Sequence, residues 1–391
     1  MKIKLLLSIF LLFSISLEAQ IQSFCGHADK LKGVTLPIHV KKTHSDGYSK
    51  SDQYVIPVVF HILHLNGPEN ISDEQIMSAM DALNEDFNKL NEDLVDVIDE
   101  FTAIIANVGV TFKLVRLDPE GQPTTGINRI YTNLTNHGWE DSSKINQWPP
   151  HKYLNIWVSK SLEGYAAAYS WYPEYADYYP ELDGIMQQHD YTGSIGTSNE
   201  YLKHVLTHEV GHYFNLYHPW DLQIGDGPCG DDEVDDTPIT QSSECILDLA
   251  TCTPSIVENV QNFMTGTYCF RMFTEGQKNR MIETLNSPVG NRNNLWQEQN
   301  LIDTGLLDAD LSISKIGNSS FSFAPNPATN TIQVKFSLAQ TSLQLVNLFG
   351  QILLDQKTDN SSTQLIDVSH FPNGTYVLRY GNSFEKLVLN R

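Results

Sequence analysis

The chain has 391 residues, enough for one large domain and a second small one. Its 47 acidic and 25 basic side chains give a net charge of −22, which disfavours nucleic acid as a partner because phosphate would repel the protein. An acidic surface fits a soluble exported protein, and its carboxylates can also bind hard cations such as calcium.

The N-terminus has the features of a secretory signal peptide. Two lysines precede a short apolar stretch, and Ala19 precedes the expected cleavage before Gln20. The apolar stretch is too short for a membrane-spanning helix, and no later run is long and apolar enough for one. We therefore predict a signal peptide over 1–19, an exported protein without a transmembrane segment, and a propeptide in the weakly patterned region 20–53.

The elements that follow mix strands and helices. The apolar run YVIPVVFHILHL, from Tyr54, is typical of a buried strand. Residues 71–90 predict a helix, because Ser72 and Gln75 form a capping box ahead of apolar residues at helical spacing. Further strands are predicted at 109–117, 152–159 and 164–173, the last near a sheet edge because a proline ends it. The main domain is therefore predicted to be α/β or α+β.

The segment HEVGHYFNLYH holds three histidines and a glutamate in eleven residues. Thr197 and Glu200 form a capping box that predicts the start of a helix carrying this segment. His208 and His212 lie one turn apart on such a helix, so their imidazoles can bind one zinc ion, with Glu209 beside them as a non-ligand. We expect His204, one turn earlier, to be a neighbouring or surface residue rather than a ligand.

His218 lies six residues beyond His212. A continuous helix would rotate it about 240° from the metal side, so the chain must turn sharply near Asn215. Such a turn needs a left-handed residue, for which glycine is usual and asparagine is the most tolerant alternative. Pro219 then prevents the helix from resuming.

Three neutral imidazoles would leave a fourth zinc position for water. Zinc lowers the pKa of such a water toward about 7. Glu209 would accept its proton and pass it to the leaving amine. The pattern therefore predicts metal-assisted hydrolysis of amide bonds.

HEVGHYFNLYH resembles the zinc signature HExxHxxGxxH of the metzincin metalloproteases. NVQNFMTGTYCFRMFTEGQKNRM, residues 259–281, resembles the Met-turn region of the pappalysin/cytophagalysin branch, and similar segments extend the resemblance over 54–285. It implies a two-lobed α+β catalytic domain at 54–303, with a mixed sheet and an active-site helix. Substrate would lie along an edge strand around 164–169. The implied site comprises the zinc ligands His208, His212 and His218, the general base/acid Glu209, and Met264 as the floor beneath zinc.

The sequence departs from the family pattern in the Met-turn as well as at Asn215. Gly266 stands where the family often has a tyrosine that binds zinc or the oxyanion. Tyr268 is a candidate replacement as transition-state stabiliser, the alternative being a packing aromatic. No preference for basic substrate residues is carried over, because 265–268 lacks the acidic residue that some relatives have.

The segment GDGPCGDDEVDDTP, residues 225–238, packs six carboxylates into one loop. Calcium would relieve their repulsion, and family members bind calcium near this position. The candidate ligands are Asp231, Asp232, Asp235 and Thr237, and a solvated acidic loop is the alternative. The four nearby cysteines allow three pairings by sequence alone. The resemblance implies the disulfides Cys229–Cys252 and Cys245–Cys269.

Cys25, in FCGHADK, is the odd cysteine and precedes the catalytic domain. Its CG motif resembles the cysteine switch of latent metzincins, in which a thiolate occupies the open zinc position. A free thiol and an intermolecular disulfide are the alternatives. Activation would then require cleavage between Lys30 and Tyr54, where three lysines are candidate sites: Lys41, Lys42 and Lys50.

The composition changes after about residue 303, and the C-terminal region contains short alternating strands separated by turn signals. We predict a linker at 304–316 and a small all-β sandwich at 317–391. The latter resembles a type IX secretion sorting domain over 320–391, with a generic β-sandwich binding module as the alternative. The resemblance implies passage through the periplasm and outer membrane of a Gram-negative bacterium, with type IX machinery as partner.

The sequence thus predicts a secreted or cell-surface zinc endopeptidase, made as a latent precursor and monomeric, that acts on proteins or peptides. The rival hypothesis is a surface-binding or adhesive protein on a catalytically weak metzincin scaffold. Glu209 argues against that rival, because a binding scaffold needs no base beside the metal. The sequence does not specify the natural substrate or the subsite preference.

Overall fold

The structure is a computed structural model of the chain. It describes residues 25–26, 30, 54–164, 166–225, 227–241, 245–266, 268–307, 321–336, 342–347, 352–357, 363–380 and 383–391. The predicted signal peptide, most of the predicted propeptide with its three candidate cleavage lysines, and residues 308–316 of the predicted linker lie outside the described residues. The chain separates into two compact units, which divide between Gln297 and Glu298.

The first unit is built on a mixed sheet of six strands: β1 (Tyr54–His64), β2 (Val110–Leu114), β3 (Ile127–Tyr131), β4 (Leu154–Ser159), β5 (Ala168–Ser170) and β6 (Ile185–Gln188). β2 and β3 pair in succession along one side of β1, β4 pairs along the other, and all three are parallel to it. β6 follows β4 in parallel, and β5 is an antiparallel edge. The last nine residues of β1 are buried, as expected for a central parallel strand.

The helices of this unit are α1 (Asp73–Phe87), α2 (Asp99–Thr102), α3 (Pro173–Tyr178), α4 (Val205–Tyr213) and α5 (Glu275–Leu285). Apolar residues of α1, α4 and α5 share one core with the sheet. The predicted first helix ends early, because Lys89 takes a left-handed conformation with φ of 56°. Leu90, predicted on the apolar stripe, is consequently 69 % exposed.

The helix that carries the histidine motif starts later than predicted. α4 begins at Val205, and turns precede it. Thr197 does not cap this helix, because its backbone N–H donates to the Gln75 side chain at 3.1 Å and its hydroxyl donates to the carbonyl of His189 at 3.0 Å. Contacts with a distant side chain therefore replace the local capping interaction.

Three short antiparallel strands follow α4 in the acidic segment: β7 (Leu222–Gln223), β8 (Cys229–Asp231) and β9 (Thr240–Gln241). Two disulfides are present, Cys229–Cys252 and Cys245–Cys269, which is the pairing that the family resemblance implied. The second disulfide ties this part of the chain to the Met-turn segment.

The second unit contains α6 (Glu298–Asp303) and seven strands: β10 (Phe321–Ala324), β11 (Thr331–Phe336), β12 (Ser342–Val346), β13 (Ile352–Lys357), β14 (Thr363–Asp367), β15 (Gly374–Tyr380) and β16 (Ser383–Leu389). They form two antiparallel sheets, in the orders β10-β11-β14 and β13-β12-β15-β16. Alternate residues of both sheets fill one apolar core, so the predicted small all-β domain is confirmed. Every helix in the described part of the chain is too short or too polar to span a bilayer.

Candidate metal centre

Four side chains from two distant parts of the chain meet at one buried point. Nε2 of His212 lies 3.1 Å from Nε2 of His208 and 3.2 Å from Nε2 of His218, and 3.4 Å from Sγ of Cys25. All four atoms lie within 4.8 Å of one another. Nitrogen ligands of a tetrahedral zinc ion, with bonds of about 2.0–2.1 Å, lie about 3.3 Å apart, so the spacing fits this ion.

Each imidazole is oriented by a hydrogen bond at its other nitrogen. The acceptors are the Phe263 carbonyl for His208, the Leu216 carbonyl for His212 and Oδ1 of Asp221 for His218, at 2.7, 2.7 and 2.9 Å. Because these acceptors fix a proton on each Nδ1, each Nε2 presents a lone pair. Three converging lone pairs would repel one another without a cation between them. The donor set therefore fits zinc.

The turn predicted between His212 and His218 is present. Asn215 has φ of 70°, in the left-handed region. The N–H of Leu216 donates to the carbonyl of Gly211 at 2.9 Å, which closes the turn. The carbonyl of the same Leu216 accepts from His212, so one turn both returns His218 to the site and orients His212.

Met264 is fully buried against the helix that carries the histidines. A Cβ placed on Gly211 would collide with its Sδ, so a glycine between Glu209 and His212 allows the close packing. The N–H of Met264 donates to Oδ1 of Asn262 at 2.9 Å, which fixes the backbone there. The residue predicted as the floor of the site thus packs directly against α4, the helix that carries His208 and His212.

Glu209 is fully buried beside the histidines and is not one of the four clustered metal-ligating residues. Burial raises the pKa of its carboxyl group to about 8, against the opposing effects of the Cys25 thiol and the Lys144 ammonium. A carboxylate held in such surroundings is a stronger base than an exposed glutamate.

Cys25 reaches the centre beside the edge strand β5. It pairs in parallel with Ala168, and the N–H of Gly26 donates to the carbonyl of Ala168 at 2.8 Å. A Cβ on Gly26 would lie 2.5 Å from the Trp139 ring and 2.9 Å from Cβ of Ala166. Only glycine therefore fits at this position without a shift of its neighbours.

Lys30 makes a further contact between the N-terminal segment and the first unit. Its Nζ lies 3.3 Å from Oδ2 of Asp141 and 4.3 Å from the ring centroid of Tyr169, and it donates to the carbonyl of Trp139. Burial lowers the pKa of Lys30, although Asp141 opposes that shift. No sequence motif marks this contact, whose partners are 111 residues apart, and sequence reasoning missed it.

Comparisons with known proteins identify the family to which the chain is similar. Residues 138–286 match the sequence profile of the family described as pregnancy-associated plasma protein-A, and residues 322–389 match the secretion system C-terminal sorting domain. An extracellular metalloprotease of Arthroderma benhamiae is 25 % identical over 236 residues, which are 59 % of this chain and 76 % of that protein. One of Neurospora crassa is 34 % identical over 149 residues, 35 % of this chain and about half (49 %) of that protein.

Two solved structures from Tannerella forsythia are similar over most of their length. Mature mirolysin in complex with a cleaved peptide is 30 % identical with a TM-score of 0.60, and the match covers 65 % of this chain and 99 % of that one. A promirolysin mutant is 30 % identical with a TM-score of 0.58, covering 63 % and 85 %. The chain belongs to the pappalysin family of metalloproteases. Its fold is accordingly the metzincin fold, and its tail is a type IX secretion sorting domain.

The structure of this pappalysin does not gather the four candidate calcium ligands into one group of converging oxygens. Asp232 is buried, and its Oδ1 accepts from the Thr237 hydroxyl and from the N–H of Val234 at 3.1 Å, whereas Asp235 is exposed. Oδ1 of Asp231 accepts from a backbone N–H at 2.5 Å. Burial raises the pKa of Asp232 to about 7. Calcium in this loop stays a prediction.

Sequence reasoning named Tyr268 as a candidate site residue but missed two residues near the histidines, Asp221 and Tyr172. Tyr268 is 57 % exposed and is not one of the clustered metal-ligating residues. Asp221 was missed, although it lies three residues after His218: it accepts from both Nδ1 and the backbone N–H of that ligand. Tyr172, also missed, donates to Asp221 at 3.3 Å and packs edge-on against His212.

Proposed function

We propose that the chain is the latent precursor of a secreted zinc endopeptidase, with His208, His212 and His218 as zinc ligands. The observation that carries this proposal is the convergence of three Nε2 atoms whose Nδ1 partners all accept hydrogen bonds. Membership of the pappalysin family supports the metal-dependent cleavage of peptide bonds. Beyond what the family supports, we propose that the metal is zinc and that the enzyme cleaves peptide bonds inside the substrate chain.

The catalytic chemistry divides between the metal and one carboxylate. Bound zinc supplies a Lewis acid that polarises the scissile carbonyl and lowers the pKa of water. Glu209, held beside the ligands by α4, takes a proton from the attacking water and delivers it to the leaving amine. Tyr268, whose side chain is exposed, is the proposed stabiliser of the developing oxyanion.

Substrate would bind along β5. This strand is the edge of the sheet, and its neighbour Cys25 already pairs with it in the manner of an added strand. Backbone hydrogen bonds to Ala168 would hold a peptide in extended form beside the histidines. The peptide's scissile bond would then face Glu209.

Latency in this account comes from the N-terminal segment. Sγ of Cys25 takes the fourth ligand position, and Gly26 occupies the edge strand that substrate needs. Lys30 adds a charged contact to Asp141 from the same short segment. Removal of this segment, by cleavage between residues 30 and 54, would open both the metal and β5.

The sorting domain at the C-terminus supports export through type IX machinery, ending in secretion or attachment to the surface of a Gram-negative cell. Protein or peptide substrates and a monomeric catalytic unit complete the proposal. Calcium in the acidic loop would stabilise the fold rather than take part in the chemistry.

A peptide-library digest tests this function. After removal of the N-terminal segment, the protein should cleave internal bonds, o-phenanthroline should abolish cleavage, and zinc should restore it. Trimming from the termini alone would contradict the endopeptidase assignment. Failure to cleave any peptide with one zinc ion bound would favour the surface-binding alternative.

A further inference from the structure

We propose that His204 and Asp86 are positioning residues of the metal centre, which hold His208 in its metal-binding orientation through Phe263 and Thr207. The inference rests on the proposed zinc site and extends it to a buried charged pair outside the ligand set. Neither residue is one of the four clustered metal-ligating residues.

His204 precedes the first residue of α4, and its side chain is 5 % exposed. Its Nδ1 lies 2.7 Å from Oδ2 of Asp86, and its Nε2 lies 3.4 Å from Oδ2 of Asp93. Because both ring nitrogens face carboxylates, the imidazolium, which donates from both, fits this position. Burial alone would lower the pKa of His204, but Asp86 and Asp93 raise it to about 9.

The Asp86 carboxylate lies at the end of α1 and binds the first turn of α4 at two points. It accepts from Nδ1 of His204 and from the hydroxyl of Thr207, the latter at 2.5 Å. The backbone of His204 accepts from the N–H of His208 at 3.0 Å. The Asp86 carboxylate therefore binds two residues next to His208 in the fold: His204, whose carbonyl accepts from His208, and Thr207, which precedes His208 in the chain.

The His204 ring also packs on the segment that orients the same ligand. Its centroid lies 5.4 Å from that of Phe263 and 5.7 Å from that of Phe270. The carbonyl of Phe263 accepts from Nδ1 of His208 at 2.7 Å. A displacement of Phe263 would therefore tilt His208, and loss of hydrogen-bonding partners of ligating histidines typically costs 10–100-fold in metal affinity.

A role confined to stability explains this arrangement less well. Replacing a buried ion pair by apolar residues is often neutral or stabilising, so such a pair is weak support for the fold alone. This pair instead lies between α1, α4 and the Met-turn segment, where those three parts of the chain converge on His208. Glu85, Asp93 and Lys203 also interact electrostatically with the pair, and Arg271 in turn interacts with Asp93.

The test measures zinc release from the full-length precursor to a colorimetric chelator, together with the melting temperature. His204→Leu removes both hydrogen bonds, whereas His204→Asn keeps a donor near Nδ1. Asn84→Ala is the control, because Asn84 lies on α1, as Asp86 does, and its half-buried amide bonds to the backbone of Phe112 rather than to His204. We expect His204→Leu to release zinc about 10–100-fold faster than wild type, and His204→Asn and Asn84→Ala to release it less than about fivefold faster.

Equal release from His204→Leu and Asn84→Ala at similar melting temperatures would overturn the inference. If His204→Leu does not fold, Thr207→Val decides, because this near-isosteric change removes the hydroxyl that donates to Asp86. Thr207→Val should release zinc faster than Asn84→Ala at a similar melting temperature, and release at the wild-type rate would overturn the inference.

The two proposals fail in different ways. A wild-type protein without bound zinc would contradict the proposed function and the inference together. The inference alone would be contradicted if the wild type binds one zinc and cleaves peptides normally, but substitution of His204 leaves the rate of zinc release unchanged.

Discussion

At Gly26, the absence of a side chain decides how closely the N-terminal segment approaches the metal centre. The backbone there fits between Trp139 and Ala166 and bonds to Ala168. Cys25 reaches the histidines only because its neighbour can come this close. The CG pair therefore combines a thiol beside the three histidines with the backbone contact that brings it there.

This pair gives a test of latency at the level of single residues. We expect the Cys25→Ala precursor to cleave peptides without processing, because the fourth ligand is lost. Gly26→Ala should give partial activity, since an added Cβ would push the segment away from Trp139. Peptide turnover by the unprocessed chains measures the loss of latency. The zinc X-ray absorption spectrum should show sulfur at about 2.3 Å in wild type and not in Cys25→Ala. Silent Cys25→Ala and a wild-type zinc that binds only nitrogen and oxygen would show that latency is steric.

The sequence predicted the grouping of the three histidines because their spacing is local: one helix turn links His208 to His212, and the turn at Asn215 returns His218. It did not predict the groups that orient them across longer distances. Phe263, 55 residues from His208, lies in the Met-turn segment, but nothing in that pattern indicates that its carbonyl orients His208. The contact of Lys30 with Asp141 is not marked by any pattern. His204 was expected only as a neighbour or a surface residue, because Asp86 lies 118 residues away.

Among the elements, the turn after α4 has the sharpest sequence requirement. Asn215 holds φ of 70°, a conformation that costs an ordinary L-residue about 1–2 kcal/mol. Asn215→Gly should therefore be at least as stable as wild type. Asn215→Ala should lower the free energy of unfolding by about 1 kcal/mol relative to Asn215→Gly, because alanine lacks the tolerance of asparagine for this region. Thermal melts of the three zinc-loaded proteins measure the order, and an alanine variant as stable as the glycine variant would contradict it.

The acidic loop gives a second test at this scale. If calcium binds there, EGTA should lower the melting temperature of the zinc-loaded protein, since a ligand of the folded state alone stabilises it. Asp235→Asn should reduce that shift, whereas Asp81→Asn, an exposed carboxylate on α1, should leave it unchanged. A melting temperature insensitive to both EGTA and added calcium would leave the solvated loop as the correct interpretation.

The capping-box pattern, a Ser or Thr followed three residues later by Gln or Glu, has three different outcomes in the described residues. These outcomes show why the ends of helices were harder to predict than their existence. Thr274 and Gln277 form a complete reciprocal capping box at α5. Ser72 accepts from the N–H of Gln75, but the Gln75 side chain binds Thr192 and Thr197 instead. Thr197 is thereby engaged and caps nothing. Tertiary hydrogen bonds, invisible in a local pattern, decided where α4 starts.

At the scale of the whole molecule, each unit has an apolar core of its own. The sequence predicted both units, because the change of composition and the strand pattern are properties of long segments that single contacts do not alter. The packing of β2 and β3 in succession along β1 was not predictable, since strand pairing is nonlocal.

Separate cores lead to a prediction for export. Deleting residues 317–391 should leave the protein in the periplasm with normal peptidase activity after processing, because the apolar cores of the two units, as far as they are described, share no residue. The matched control joins 317–391 to an unrelated periplasmic protein, which should then be exported. Cell fractionation and activity assays measure both, and normal export of the truncated chain would count against the sorting role.

The central claim is that Glu209 and the histidines cleave peptides as one centre, and Glu209→Ala tests it most directly. Turnover and zinc content are measured on the same sample of processed protein. We predict one zinc per chain and a loss of turnover by about 10²–10⁴-fold or more, since the base that accepts the water proton is gone while the ligands remain. Near-normal turnover with full zinc content would contradict it.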